Sequence, residues 1–209
     1  MNRKTAMKLF GLLGLLMLLS CGYADRHRNN SSCEQVLVDS LEVRVQDSLF
    51  SNVHYSRSQV LDALTQAQDS QVYYRLLALY GKTFFVSSDF DSILYYNRRV
   101  KEFSRNASQS LQSPQSPQWN DVLSDVYNIE GNVWMQLNRP DSAITDYKKA
   151  YEYRLKGKKL HLLPDICINT ADAYLHRSDL AHTALYYRRA LFPVSYTHLR
   201  AHETKANIV

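Results

Sequence analysis

Residues 127–150 read YNIEGNVWMQLNRPDSAITDYKKA, and their spacing decides the fold. Tyr127, Gly131 and Trp134 stand four and then three residues apart, on one face of a helix. Ala143, Tyr147 and Ala150 repeat that interval after Asn138-Arg139-Pro140-Asp141. Asn, Pro and Asp favour turns, and Pro140 suits the first turn of a second helix because its φ is preset and its missing N–H is not needed there. A small residue on each helix, Gly131 and Ala143, lets the two axes approach closely. Trp134 and Tyr147 then fill the space beside the contact. The stretch predicts a hairpin of two helices.

The pattern recurs on both sides. Downstream it is Cys167, Ala171, Tyr174, Thr183, Tyr187 and Ala190; upstream it is Leu77, Gly81, Phe84, Ile93, Asn97 and Val100, with Asn97 and Val100 diverging most. Within each copy the two helices keep one register, 81 to 93, 131 to 143 and 171 to 183, always twelve residues. Between copies the distance varies, 50 residues from Gly81 to Gly131 and 40 from Gly131 to Ala171, so the surplus lies between hairpins. One surplus is the Ser/Gln-rich stretch Ser104 to Gln118 with Pro114 and Pro117, a loop by composition. The other holds Arg154, Lys156, Lys158, Lys159 and His161, which read as a solvated helix end favoured by the helix dipole. Val36 to Leu49 and Val60 to Ala67 are apolar at helical spacing and predict a more degenerate first hairpin. The expectation is an all-α chain with hairpins at about 34–68, 71–103, 119–155 and 162–192 within a domain spanning 34–193.

These hairpins resemble tetratricopeptide repeats. The family pattern W-x2-L-G-x2-Y followed by A-x3-F is matched by Tyr127-x2-Glu130-Gly131-x2-Trp134 and Ala143-x3-Tyr147, with Glu130 at an apolar position and no closing Pro after Ala150. The resemblance assigns Gly81, Phe84, Tyr127, Gly131, Trp134, Ala143, Tyr147, Ala150, Ala171, Tyr174, Tyr187 and Ala190 to packing between helices. It implies an α-solenoid whose concave side is lined by the first helix of each pair and binds a protein or peptide. Helical spacing puts Lys82 and Phe85, then Asn128, Asn132, Met135 and Gln136, then Ile168, Asp172 and Leu175 on that side. Asparagines can hold a peptide backbone, while Phe85 and Met135 can form apolar pockets. Relatives that clamp a terminal carboxylate pair lysines with asparagines; here Ala78 stands where the earlier repeat would supply one of them.

The two ends read differently. Arg3, Lys4 and Lys8 precede an apolar run from Leu9 to Leu19, whose eleven residues are too short to cross a bilayer core of about 30 Å. Residues 1–20 thus read as an export signal. Leu18-Leu19-Ser20-Cys21 resembles the bacterial lipoprotein box, which implies lipidation of Cys21, a membrane anchor and a polar tether over 21–33. No acidic cluster follows the cysteine, which favours the periplasmic side. At the other end, Val194 to Thr204 resembles the translation of a sequencing-library transposase adapter, so residues 194–209 are expected to be foreign and the natural chain to continue past Pro193. His198 and His202, spaced as in helical zinc sites, belong to that stretch and carry no metal reading. A stack without a polar cap after Leu191 is expected to expose apolar area beyond Tyr187 and to dimerise or aggregate.

Charge and chemistry narrow the function. The chain has 25 Lys and Arg against 20 Asp and Glu, net +5. Arg3, Lys4 and Lys8 at one end, and Arg200 and Lys205 against Glu203 at the other, leave +1 between them, which gives no support for nucleic-acid binding. Phosphate-loop, nucleophile-elbow and H-E-x-x-H patterns do not occur, so no enzyme, cofactor or metal is expected. Cys167 falls at a core position and reads as a small buried residue; Cys33 is its alternative disulfide partner. In each of the pairs Tyr73-Tyr74, Tyr95-Tyr96 and Tyr186-Tyr187, one ring is expected to point inward. The leading expectation is a membrane-tethered scaffold. Its rival is the sensor half of a signalling protein whose histidine-kinase or helix-turn-helix output part is missing.

Overall fold

The computed structural model describes residues 34–109 and 116–191. Cys21, Cys33, the signal and tether segments, Ser110 to Gln115 and the stretch with His198 and His202 lie outside the described residues. Among the described residues the regular structure is helical throughout: α1 (34–48), α2 (Val53–Gln66), α3 (Ser70–Lys82), α4 (Phe90–Gln109), α5 (Pro117–Gln136), α6 (Pro140–Arg154), α7 (Leu163–His176) and α8 (Leu180–Leu191). A single 3-10 turn, Leu160–Leu162, leads into α7. The chain is all-α, as its periodicity requires. Helices neighbouring in sequence pack together, and α5 also touches α3 on one side and α7 on the other.

Local chemistry places the helix ends. Asn52, Asp69, Asp89, Ser116 and Asp179 each accept a hydrogen bond from a backbone N–H in the first turn of the helix that follows, satisfying donors that have no partner in the helix. Pro117, Pro140 and Pro164 sit in first turns. Three helix ends share one geometry. Ser88, Asn138 and Ser178 have φ of 53°, 55° and 60°. The N–H of the next residue, Asp89, Arg139 or Asp179, bonds the carbonyl of Phe84, Trp134 or Tyr174 at 3.2, 2.8 and 3.0 Å. This is the Schellman motif, in which a left-handed residue turns the chain back and satisfies the last carbonyls of the helix. The three left-handed residues occupy one repeat position, so the turn repeats with the same spacing as Gly81, Gly131 and Ala171.

The core follows the apolar stripes. Val38, Leu41, Val45 and Leu49 of the first hairpin pack with Val60, Val72 and Leu76. Leu77 and Val100 join Trp119, Val122, Leu123 and Val126 where the second hairpin meets the third. Ala143, Ile144 and Tyr147 join Ala171, Ala173, Tyr174 and Tyr186 where the third meets the fourth. Each large apolar side chain buried in this way contributes about 1.5–3 kcal/mol.

Three expectations need correction. The Ser/Gln-rich stretch is helical to Gln109, because Val100, Phe103 and Ser104 continue the packed face of α4 and Ser104 Oγ accepts the Trp119 indole N–H at 3.0 Å. Tyr187 is a rim residue, 36% exposed; its neighbour Tyr186 takes the core place, stacked at 5.5 Å on Tyr174, while Ala190 is half-buried. Arg154 is no solvated helix end: its side chain is 1% exposed, and its two terminal nitrogens pair with the Asp121 and Asp125 carboxylates.

Candidate functional site

The residues expected to line a concave surface lie on the first helices, apart from Phe85, which follows α3, and most have partners within the fold. Asn128 Oδ1 accepts from the Asn169 amide at 3.1 Å, joining α5 to α7. Asn132 Oδ1 accepts from the Tyr147 hydroxyl at 2.8 Å, within the hairpin, and burial pushes that hydroxyl far above its usual pKa. Met135 packs against the cluster between the third and fourth hairpins. The Lys82 ammonium donates to Gln46 Oε1 on α1 at 2.6 Å. Asp172 accepts from the Tyr187 hydroxyl. Phe85 is half-buried after α3, whereas Gln136 and Leu175 are exposed. The stripe on α5 is thus chiefly a joint between hairpins, and its open part is the Gln136 end.

Several of the residues assigned to packing between helices make close contacts. The Tyr147 ring covers Gly131 so closely that a Cβ built there would overlap it. Trp134 donates its indole N–H to Asp146 at 2.8 Å. Tyr127 stacks on Tyr153 at 5.7 Å with the Lys101 and Lys149 ammonium groups 5.2 and 5.1 Å from its ring centre. Burial pushes the Tyr127 hydroxyl up to about 12. Phe84 stacks on Tyr96, and the Arg57 guanidinium lies 4.0 Å from the Phe84 ring centre. Glu130, the residue at an apolar repeat position, is buried and held by the Lys101 ammonium at 2.6 Å; burial raises its carboxyl above the usual range. Cys167 is a buried free thiol, pushed up to about 11 by desolvation.

Sequence reading missed the most connected polar feature. Asp121 at the start of α5 accepts from Arg154 at 2.8 Å and from the backbone N–H groups of Lys158 and Lys159 at 2.9 and 3.1 Å. Arg154 also pairs with Asp125. Lys159 then reaches Glu42 on α1 at 2.7 Å, and Glu42 shares Arg75 with Asp39 at 2.8 and 2.6 Å. The Arg75 guanidinium also donates to Gln35 Oε1 at 2.5 Å. One chain of charges therefore joins α1, α3, α5, α6 and the connection into α7. The nearby acids hold the Arg75 and Lys159 cations more firmly than burial alone would allow. Gly157 is required beside it, because a Cβ there would strike the Asp121 carboxylate. The signal in the sequence was the pair Asp121 and Asp125 one helical turn apart, with an isolated glycine inside a basic run.

No protein-family model matches the chain, and no curated protein is significantly similar to it. Among the described residues no group of His, Cys, Asp and Glu is arranged to hold a metal ion, and no helix is long and apolar enough to cross a membrane.

Proposed function

We propose that the chain is a non-enzymatic scaffold of tetratricopeptide-like hairpins, exported and anchored by lipid at Cys21, that binds a protein or peptide partner in the periplasmic space. The observation that carries the repeat reading is the shared Schellman turn at Ser88, Asn138 and Ser178, spaced as the small residues of the hairpins are. Independent turns have no reason to keep that spacing, whereas copies of one unit do. The adjacency of α3, α5 and α7 supports a stack with its first helices on one side. On that side Lys82, Phe85 and Gln136 remain accessible in whole or part and are the residues assigned to partner contact.

Two measurements test this function. A photo-crosslinking residue at Gln136 in the full chain should give a discrete protein adduct in cells that the same residue at exposed Glu152, on a second helix, does not give. Equal adducts from both positions, or none from Gln136, overturn the surface. Labelled palmitate should enter the protein and Cys21→Ala should abolish it; labelling unchanged by the substitution removes the anchor.

A further inference from the structure

Gly81, Gly131 and Ala171 fix a common register, and 17 and 18 residues after each stands a pair of cations: Arg98-Arg99 on α4, Lys148-Lys149 on α6 and Arg188-Arg189 on α8. The first cation of each pair is exposed. The second lies over a tyrosine ring, Arg99 6.0 Å from the centre of Tyr95, Lys149 5.1 Å from that of Tyr127 and Arg189 4.8 Å from that of Tyr186. Arg75, Lys101, Arg154 and Lys159 each hold a carboxylate, whereas, among the described residues, Arg98, Lys148 and Arg188 hold none. One turn before these three, on the same stripes, stand Tyr95, Thr145 and Leu185, all exposed.

The first helices of the last two hairpins carry the opposite sign. α5 and α7 hold Asp121, Asp125, Glu130, Asp165 and Asp172 and neither Lys nor Arg. Hairpins stacked in one register present equal positions to the same side, so the three pairs form a ladder on the second helices, away from the groove. We propose that this ladder docks the scaffold on a bilayer rich in acidic headgroups and turns the first helices, with Gln136, away from the membrane toward the partner. The docking rests on the stacked and Cys21-anchored reading above and adds an orientation to it. An anchor alone leaves the orientation open, because the thirteen tether residues, 21–33, reach as far as about 45 Å. Lys and Arg are drawn to acidic lipids within a Debye length, and a ring or aliphatic side chain beside them settles at headgroup level. Exposed Glu102 and Glu152 follow one turn after Arg98 and Lys148, which keeps the attraction shallow and sensitive to salt.

Energy transfer from Trp119 and Trp134 to a dansyl-labelled lipid headgroup tests it, with the full chain on vesicles. Transfer should be strong where a third of the phosphatidylcholine is replaced by phosphatidylglycerol, weak on phosphatidylcholine alone, and lost in high salt. The triple variant Arg98→Gln, Lys148→Gln, Arg188→Gln should bring transfer on the acidic vesicles down to the neutral-lipid level. Arg44→Gln, Lys158→Gln, Arg177→Gln removes the same charge from exposed positions off the ladder and should leave transfer as in the wild type. Circular dichroism checks that both variants fold, and the lipid and salt dependence of the wild type needs neither. Flotation on phosphatidylcholine alone reports the anchor, so its failure is read apart from that of docking; a chain without the anchor should still float with the acidic vesicles and not with the neutral ones. Transfer indifferent to lipid charge, equal losses in the two triple variants, or a homopolymeric RNA that binds through the ladder at physiological salt where the acidic vesicles do not, would each overturn the docking.

Discussion

The second and third hairpins begin alike and are completed differently. Both place glycine on the first helix, at Gly81 and Gly131, and both close through the same left-handed turn. The third then fills the gap with Tyr147, whose ring lies on Gly131 and whose hydroxyl reaches back to Asn132. The second has Asn97 at that place. Its amide donates at 3.2 Å to the Val126 carbonyl of the following hairpin, its Oδ1 has no partner, and Tyr96, one residue earlier, approaches Gly81. The turn and the small residue set the hairpin, while the filler decides whether the second helix is fastened to its own partner or to the next unit.

Charge separates the two hairpins most strongly. Removing Asp121 strands Arg154, which is buried and otherwise holds only the half-exposed Asp125, so Asp121→Ala should cost about 3–5 kcal/mol. The parallel test on Arg75 of the second hairpin, Asp39→Ala on α1, leaves Arg75 with Glu42 and Gln35 and removes only an exposed partner, so its cost should stay below about 1 kcal/mol. Urea denaturation of both variants measures the contrast, and equal losses would contradict the account.

The glycines come next. Gly131→Ala forces the methyl into a ring that is held on all sides and should cost about 1–3 kcal/mol. Gly81→Ala meets the Tyr96 Cβ at 3.1 Å and its other neighbours at ordinary contact distance, and the gain in helix propensity, about 1 kcal/mol, offsets much of the close contact. Its melting temperature should therefore change little while that of Gly131→Ala falls by several degrees.

How far such differences could be foreseen depends on distance along the chain. Gly131, Trp134, Ala143 and Tyr147 were legible because hairpin contacts recur at fixed short spacings, and a hydrophobic pattern of that period has few other solutions. The Asp121–Arg154–Gly157 arrangement was not, because its members belong to two helices and a connection, and no periodicity links a carboxylate to a backbone N–H 37 residues away. The exchange of Tyr186 for Tyr187 as the core ring shows a third limit. Neighbouring tyrosines differ by 100° around a helix, and the twelve-residue register chose the one that faces the rim. The same ambiguity placed Asn128 and Met135 in an open groove: a stripe on α5 can face a partner or the next hairpin, and only the position of α7 decides.

Glu130 links the two hairpins through Lys101, and acidity sharpens its role. Burial raises its folded carboxyl pKa, so the folded state holds the proton more tightly than the unfolded state does. Stability assigned to this group is therefore present at low pH and declines as pH rises through the ordinary carboxylate range toward the raised value. Glu130→Gln should remove that decline, giving a flatter stability–pH curve over this window. A variant whose curve retains the full slope would assign it to other groups.

The smallest expected effect concerns the shared turn. Ser88, Asn138 and Ser178 all adopt a left-handed φ that costs residues with a Cβ about 1 kcal/mol, less for asparagine because its amide tolerates that region. Glycine relieves the strain but adds backbone entropy to the unfolded chain, so the net gain is a few tenths of a kcal/mol. Ser88→Gly and Ser178→Gly should each raise the melting temperature slightly and by similar amounts, with Asn138→Gly lagging behind both. If the three turns are copies of one device, the two serine variants must agree, whatever separates their hairpins elsewhere. A gain at Ser178 with a loss at Ser88 would mean that the second hairpin depends on a side-chain contact its geometry does not contain.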